Sequence, residues 1–193
     1  EIKKLDLKDV YGSTQKLYDQ CKQVLSDLEA KQYQLYSDIK NIVICGMGGS
    51  AYGGHVSLSL FKSDLKIPLY INSDYDLPAF VDETTLVILT SYSGSTEETL
   101  SCAKKAIEKN AKIFGITSGG DLANFLNENN LQSYVFNPSN NASGQPRLGT
   151  GYIVLGTLLV LERLGFVSLN LNEVSQSIES LSQNKDEIIK KAQ

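Results

Sequence analysis

Three times along this 193-residue chain, a short apolar run rich in β-branched residues ends in a glycine or hydroxyl turn, and helix-like apolar spacing follows. Asn41 to Cys45 (NIVIC) leads into Gly46 to Gly54 (GMGGSAYGG), Leu86 to Leu89 into Ser91 to Thr99 (SYSGSTEET), and Lys112 to Thr117 (KIFGIT) into Ser118-Gly119-Gly120. Apolar runs of this length suit strands buried on both faces of a parallel sheet, and strands alternating with helices make βαβ units. Two weaker runs, Leu69 to Ile71 and Tyr134 to Phe136, complete a predicted α/β fold with three αβα layers around a mostly parallel five-stranded sheet. At 41% hydrophobic residues, the chain has material for one sizeable core and no second domain of comparable size.

The flanking segments carry helical stripes. Leu17, Cys21, Val24, Leu25 and Leu28 recur at three and four residues, with Ser13 or Thr14 placed to cap them. A long apolar helix is predicted from about Gly149 to Leu164, and a last one from Asn172 with Val174, Ile178, Leu181 and Ile188 on one side. The expected organisation is therefore an N-terminal helical segment over residues 1–40 packed on a core at 41–170, followed by a C-terminal helix at 171–193.

The second junction carries the most chemistry. A helix N-terminus presents unpaired N–H groups and the positive end of the helix dipole, which together hold an anion, phosphate above all. Ser91, Ser93, Ser95 and Thr96 add hydroxyls, and Gly94 lets the backbone come close or adopt positive φ. No Lys or Arg lies in SYSGSTEET, so the cup is one of dipoles. Ser95-x-x-Glu98 also reads as a capping box, which needs a single hydroxyl and not four.

The glycine loop offers a second set of N–H groups at the same sheet edge. Its Gly46-x-Gly48-x-x-Ala51 also satisfies a dinucleotide fingerprint, but the acid that the fingerprint requires, here Asp74, comes late in sequence. His55, the only histidine, has no partner identifiable from sequence. Arg147 stands where the polar stretch Asn137 to Gln145 meets the apolar helix; its planar fork suits an oxyanion or an ion pair that pins the loop.

A formal net charge of −4 and a pI near 5.1 argue against nucleic acid and anionic membranes as partners. The longest apolar run, Tyr152 to Leu161, is too short to span a bilayer. Three cysteines without metal-ligand spacing point to a reducing, cytoplasmic setting and to no metal. The chain begins at Glu1 with Met47 as its only methionine, as expected of a trimmed or processed product.

GMGGSAYGG, SYSGSTEET, the glycine pair of SGGDL and QPRLGTGY together resemble the first sugar isomerase (SIS) domain of the bifunctional phosphoglucose/phosphomannose isomerases, in the family's order and over Asn41 to Tyr152. The resemblance implies a second SIS domain in a full-length chain and a homodimer with active sites near domain and subunit boundaries. It implies a phosphorylated hexose as ligand and no cofactor. Carried over by position, Gly49 and Ser50 line the sugar-phosphate site, Ser91, Ser93 and Thr96 hold the phosphate, and Arg147 stabilises the enediolate. The family's base, a Glu, and its ring-opening His lie downstream, with no counterpart before Gln193. Ser95 stands where many relatives have Asn, and His55 and Asp121 depart from the pattern. The function so implied interconverts glucose 6-phosphate or mannose 6-phosphate with fructose 6-phosphate, with this chain inactive alone. The alternative is a non-catalytic SIS module that senses a phosphosugar.

Overall fold

The computed structural model describes residues 2–192. Helices α1 (Ile2–Leu5), α2 (Val10–Thr14) and α3 (Leu17–Glu29) precede strand β1 (Asn41–Cys45), which passes through a 3-10 turn at Gly48–Ala51 into α4 (Tyr52–Leu60) and β2 (Leu69–Asn72). Then follow β3 (Thr85–Ser91), α5 (Glu97–Glu108), β4 (Lys112–Thr117), α6 (Gly120–Glu128) and β5 (Gln132–Val135). A second 3-10 turn at Pro146–Leu148 opens α7 (Thr150–Arg163), and α8 (Leu171–Ala192) ends the chain.

The five strands lie in the order β2-β1-β3-β4-β5, and each neighbouring pair runs parallel. The sheet is thus wholly parallel where the sequence predicted a mostly parallel one. Side chains alternate between its faces. Ile42, Ile44, Leu86, Ile88, Phe114 and Ile116 meet α3 and α7 on one side. Val43, Cys45, Val87, Leu89 and Ile113 meet α5 and α6 on the other. Each such aliphatic side chain, fully withdrawn from water, contributes about 1.5–3 kcal/mol. This burial on both faces explains why the strands read as unbroken apolar runs.

The chain leaves β1 for β2 on one side and returns to β3 on the other. A crevice therefore opens between the carboxyl ends of β1 and β3, where ligands of open α/β sheets bind. At the opposite edge the extended segment after α3 closes the sheet: Lys40 N–H donates to Thr84 O (2.9 Å), Tyr36 OH to Ile113 O (2.7 Å), and the Gln132 amide pairs with the backbone of Gln34 in both directions.

Three expectations are corrected. The helix predicted from Ser13 is two helices, and neither Ser13 nor Thr14 caps α3; its N-cap is Lys16, with no side-chain hydrogen bond. Ser13 is buried in α2, where its Oγ accepts from Ser143 N–H (3.0 Å), so a tertiary contact has taken the hydroxyl. The fifth strand lies at Gln132–Val135, and Phe136 instead stacks on Tyr152 with ring centroids 4.7 Å apart. Ser91 is the last residue of β3, not the first of the turn. In α8, Ile178 is buried and Ile188 is exposed, so only the first part of that helix covers the core. No helix among the described residues is long and apolar enough to cross a membrane.

Candidate functional site

The turn after β3 builds itself from its own hydroxyls. Ser91, fully buried, accepts the Gly94 N–H on Oγ (3.0 Å) and lies 2.7 Å from Thr96 Oγ1. Ser93 and Ser95 hydroxyls are 3.0 Å apart, and Ser93 Oγ accepts the Ser95 N–H (3.3 Å). Gly94 adopts φ +75° and sits so close to the Gly119 carbonyl that a Cβ would collide with it. The turn thus brings Ser93, Ser95 and Thr96 to the start of α5.

The N-cap of α5 is Thr96, in extended conformation and without a side-chain cap. The capping box predicted at Ser95 and Glu98 is not formed, because Ser95 faces Ser93. The start of this twelve-residue helix is therefore left without a side-chain cap, beside the exposed Ser93 and Ser95. Glu97 and Glu98 suit this dipole end. They also raise the pKa of the neighbouring Tyr75 phenol, Glu98 through its charge and Glu97 through a hydrogen bond.

The glycine loop after β1 is tied to this turn. Thr90 Oγ1 lies within hydrogen-bond distance of Cys45 O (3.0 Å) and Ser50 O (2.9 Å), and Ser50 Oγ accepts the Tyr92 N–H (3.1 Å). Gly46 leaves room for the Thr90 hydroxyl, and Gly53 for Thr157 where α4 crosses α7. Gly48, at φ +52°, has nothing within 4 Å of its Cβ position, and at Gly49 only the Arg147 Cα lies there, at 4.0 Å.

Arg147 is exposed on the second 3-10 turn. Among the described residues it forms no ion pair, so it does not pin its loop by charge. Neutral groups do that instead. Asn141 Nδ2 donates to Tyr92 OH (2.7 Å) and Gln145 O (2.9 Å), while Ser143 Oγ donates to Asn141 Oδ1 (2.7 Å). Gly149 packs so closely on the Tyr92 ring that no Cβ fits. The structure thus brings together Gly49, Ser50, Ser91, Ser93, Thr96 and Arg147 at one edge, with Ser50 tying the two loops together and Ser91 closing its own turn.

The remaining candidates lie apart. His55 is exposed on the outer side of α4. The third junction supports the second: Ser118 N–H and Oγ both donate to Tyr92 O (3.1 and 2.6 Å), and Leu122 N–H donates to Gly94 O (2.9 Å). Asp74 turns its carboxylate to the Tyr75 N–H (2.6 Å). Below the crevice, Asn72 Nδ2 lies 3.4 Å from Cys102 Sγ and 3.9 Å from Cys45 Sγ. Interaction between these two neighbouring thiols lowers the pKa of Cys102 and raises that of buried Cys45. Among the described residues no cluster of three His, Cys, Asp or Glu side chains could hold a metal ion. Thr90 and Tyr92 carry the architecture of the site without having been singled out in the sequence. The only local signal was Tyr92's place inside SYSGST.

Comparison with known proteins agrees with this geometry. Residues 35–129 match the SIS domain family model. The chain is 38% identical over 169 residues to a bifunctional phosphoglucose/phosphomannose isomerase of Caldicellulosiruptor bescii, covering 87% of this chain and 47% of that one. It is 38% identical over 154 residues to the Aquifex aeolicus protein of the same name, covering 77% and 46%. The chain thus spans about half the length of these curated relatives. Among solved structures, the C-terminal domain of a glucosamine-fructose-6-phosphate aminotransferase from Francisella tularensis superposes with a TM-score of 0.57 at 16% identity, over 89% of this chain and 52% of that one, which speaks for the fold. The chain carries a SIS domain at residues 35–129 and is related to the bifunctional phosphoglucose/phosphomannose isomerases.

Proposed function

We propose that this chain is the sugar-phosphate-binding part of an aldose–ketose isomerase that interconverts glucose 6-phosphate or mannose 6-phosphate with fructose 6-phosphate. The observation that carries the reading is the uncapped start of α5, ringed by Ser93, Ser95 and Thr96 at the switch point of the sheet. The phosphate accepts hydrogen bonds from the first-turn N–H groups and from the Ser93 and Thr96 hydroxyls. The sugar then extends toward Gly48, Gly49 and the Arg147 turn, where the missing Cβ atoms leave room for it. Proton transfer between C1 and C2 develops an enediolate oxyanion, and the Arg147 guanidinium supplies fixed positive charge for it.

In this reading the carboxylate base and the ring-opening group come from outside the chain. Glu97 and Glu98 sit on the phosphate side, in the wrong place to carry a proton between C1 and C2. The working enzyme is a cytoplasmic homodimer of chains with two SIS domains each, and residues 1–40, 41–170 and 171–193 form the helical segment, core and terminal helix of the first.

Calorimetric titration of the chain with fructose 6-phosphate, fructose and inorganic phosphate tests the reading. The expected result is saturable binding that requires the phosphate and tightens with the sugar. Equal response to fructose and fructose 6-phosphate would remove the phosphate cup.

A further inference from the structure

Gln20 is a fully buried polar residue in α3, a helix whose inward face is otherwise apolar. All its side-chain hydrogen bonds reach backbone atoms on either side of Arg147. Nε2 donates to Leu148 O (2.8 Å) and to Asn140 O (3.0 Å), and Oε1 accepts the Gly151 N–H (3.1 Å). These partners are remote in sequence, so local folding does not require them. The carboxamide offers two donors and one acceptor, and the site uses all three. A carboxylate cannot donate, and an apolar side chain would leave two carbonyls and one N–H without a partner in a buried place.

The neighbouring backbone is shaped around this side chain. A Cβ on Gly151 would lie 2.7 Å from Gln20 Cβ and 3.0 Å from its Oε1, so glycine there lets α3 and α7 come close enough for the amide to reach across. One turn further along α3, Gln23 repeats the device: Nε2 donates to Asn137 O (2.8 Å), and Oε1 accepts from Tyr152 OH (2.8 Å) and Asn140 Nδ2 (3.0 Å). The arginine itself makes no hydrogen bond with Gln20. What Gln20 fixes is the 3-10 turn that decides where the guanidinium stands.

We infer that Gln20 is a positioning residue for Arg147: its carboxamide clamps Asn140, Leu148 and Gly151, and so aims the guanidinium at the enediolate position beside Gly49. The inference rests on the reading of Arg147 given above. It makes the N-terminal helical segment part of the machinery for oxyanion stabilisation, while the phosphate cup, built from β3 and α5, does not depend on it.

The experiment compares two ligands on the full 193-residue chain. Arabinonate 5-phosphate carries a carboxylate where the enediolate oxygens develop, and arabinitol 5-phosphate lacks that charge. Both carry the same phosphate. The intact chain is expected to prefer the acid, and Arg147→Ala to lose that preference. Gln20→Leu is expected to lose about tenfold or more of the preference as well, with arabinitol 5-phosphate affinity unchanged. Combining it with Arg147→Ala should add nothing.

Should Gln20→Leu fail to fold, Gly151→Ala asks the same question from the other side, because its methyl group displaces the amide while favouring the helix. Selective loss of the acid preference in either variant supports the inference. If Arg147→Ala loses the preference and the folded Gln20 or Gly151 variant keeps it, or if both ligands weaken equally, Gln20 is only structural and the inference falls. If the intact chain shows no preference, or Arg147→Ala leaves it unchanged, the role of Arg147 falls first and takes the inference with it.

Discussion

The two loops that face each other across the crevice use opposite chemistry for the same end. In the loop after β1, the residues that look special are glycines, and most of them serve the protein: Gly46 admits Thr90, Gly53 admits Thr157, and Gly54 packs on Ile44 and Ile71. Only Gly48 and Gly49 border open space or Arg147. In the turn after β3 the special residues are hydroxyls. Ser91 is consumed in holding Gly94 and Thr96, while Ser93, Ser95 and Thr96 remain at the surface of the crevice. A signature motif therefore overstates its own ligand set, because part of it is the frame that presents the rest.

The comparison is broken most severely at the glycines. Gly94→Ala places a side chain at positive φ and against the Gly119 carbonyl, and should cost about 3 kcal/mol or more. Gly48→Ala, also at positive φ but in open space, should cost about 1–2 kcal/mol from backbone strain alone. Urea unfolding of both variants checks this ordering; equal losses would mean that conformation and not crowding governs the turn.

The hydroxyls give the next effect. Ser91→Ala leaves the buried Gly94 N–H without its acceptor, so stability should fall by about 1–3 kcal/mol together with phosphate affinity. Ser93→Ala should leave the melting temperature within about a degree or two, as surface substitutions do, while still weakening fructose 6-phosphate binding. A comparable loss of stability in both would erase the distinction between frame and ligand.

How much of this could be read beforehand follows from where the information sits. The strand–turn–helix junctions were legible because β-branched runs, glycines and hydroxyls act on the backbone within a few residues. The cap on α3 and the capping box of α5 were misread because Ser13 and Ser95 had competing partners, at Ser143 and Ser93. Gln20 and Thr90 gave no local sign, and Tyr92 gave only its place inside SYSGST. Their partners lie 26 to 131 residues away, and only the packed sheet brings them together. An amphipathic stripe tells where a helix buries its apolar side chains and is silent about a glutamine among them.

The smallest expected effect concerns acid. Neither loop is held together by a carboxylate, whereas the turn that starts β3 at the far edge is: Asp82 accepts from the Thr84 hydroxyl (2.7 Å) and N–H (2.8 Å). These bonds hold its pKa below the ordinary 3.8. A lowered folded-state pKa contributes stability that is present above the unfolded value and lost as pH falls through the folded one. Thermal melts between pH 5 and 2 should therefore fall slightly less steeply for Asp82→Asn than for the parent chain. A steeper fall in the variant would reverse the sign of that contribution.

The covering of the sheet by α3 and α7 bears on modularity. The stretch that the SIS domain model matches, residues 35–129, holds both loops that border the crevice. It omits the two helices that shield Ile42, Leu86, Ile88 and Phe114, and it omits Arg147. A polypeptide cut to the matched stretch would expose one whole apolar face of its sheet and associate through it. The span of the family model and the folding unit are different objects here. Any transplant of the proposed phosphate cup into another protein has to carry the outlying helices with it.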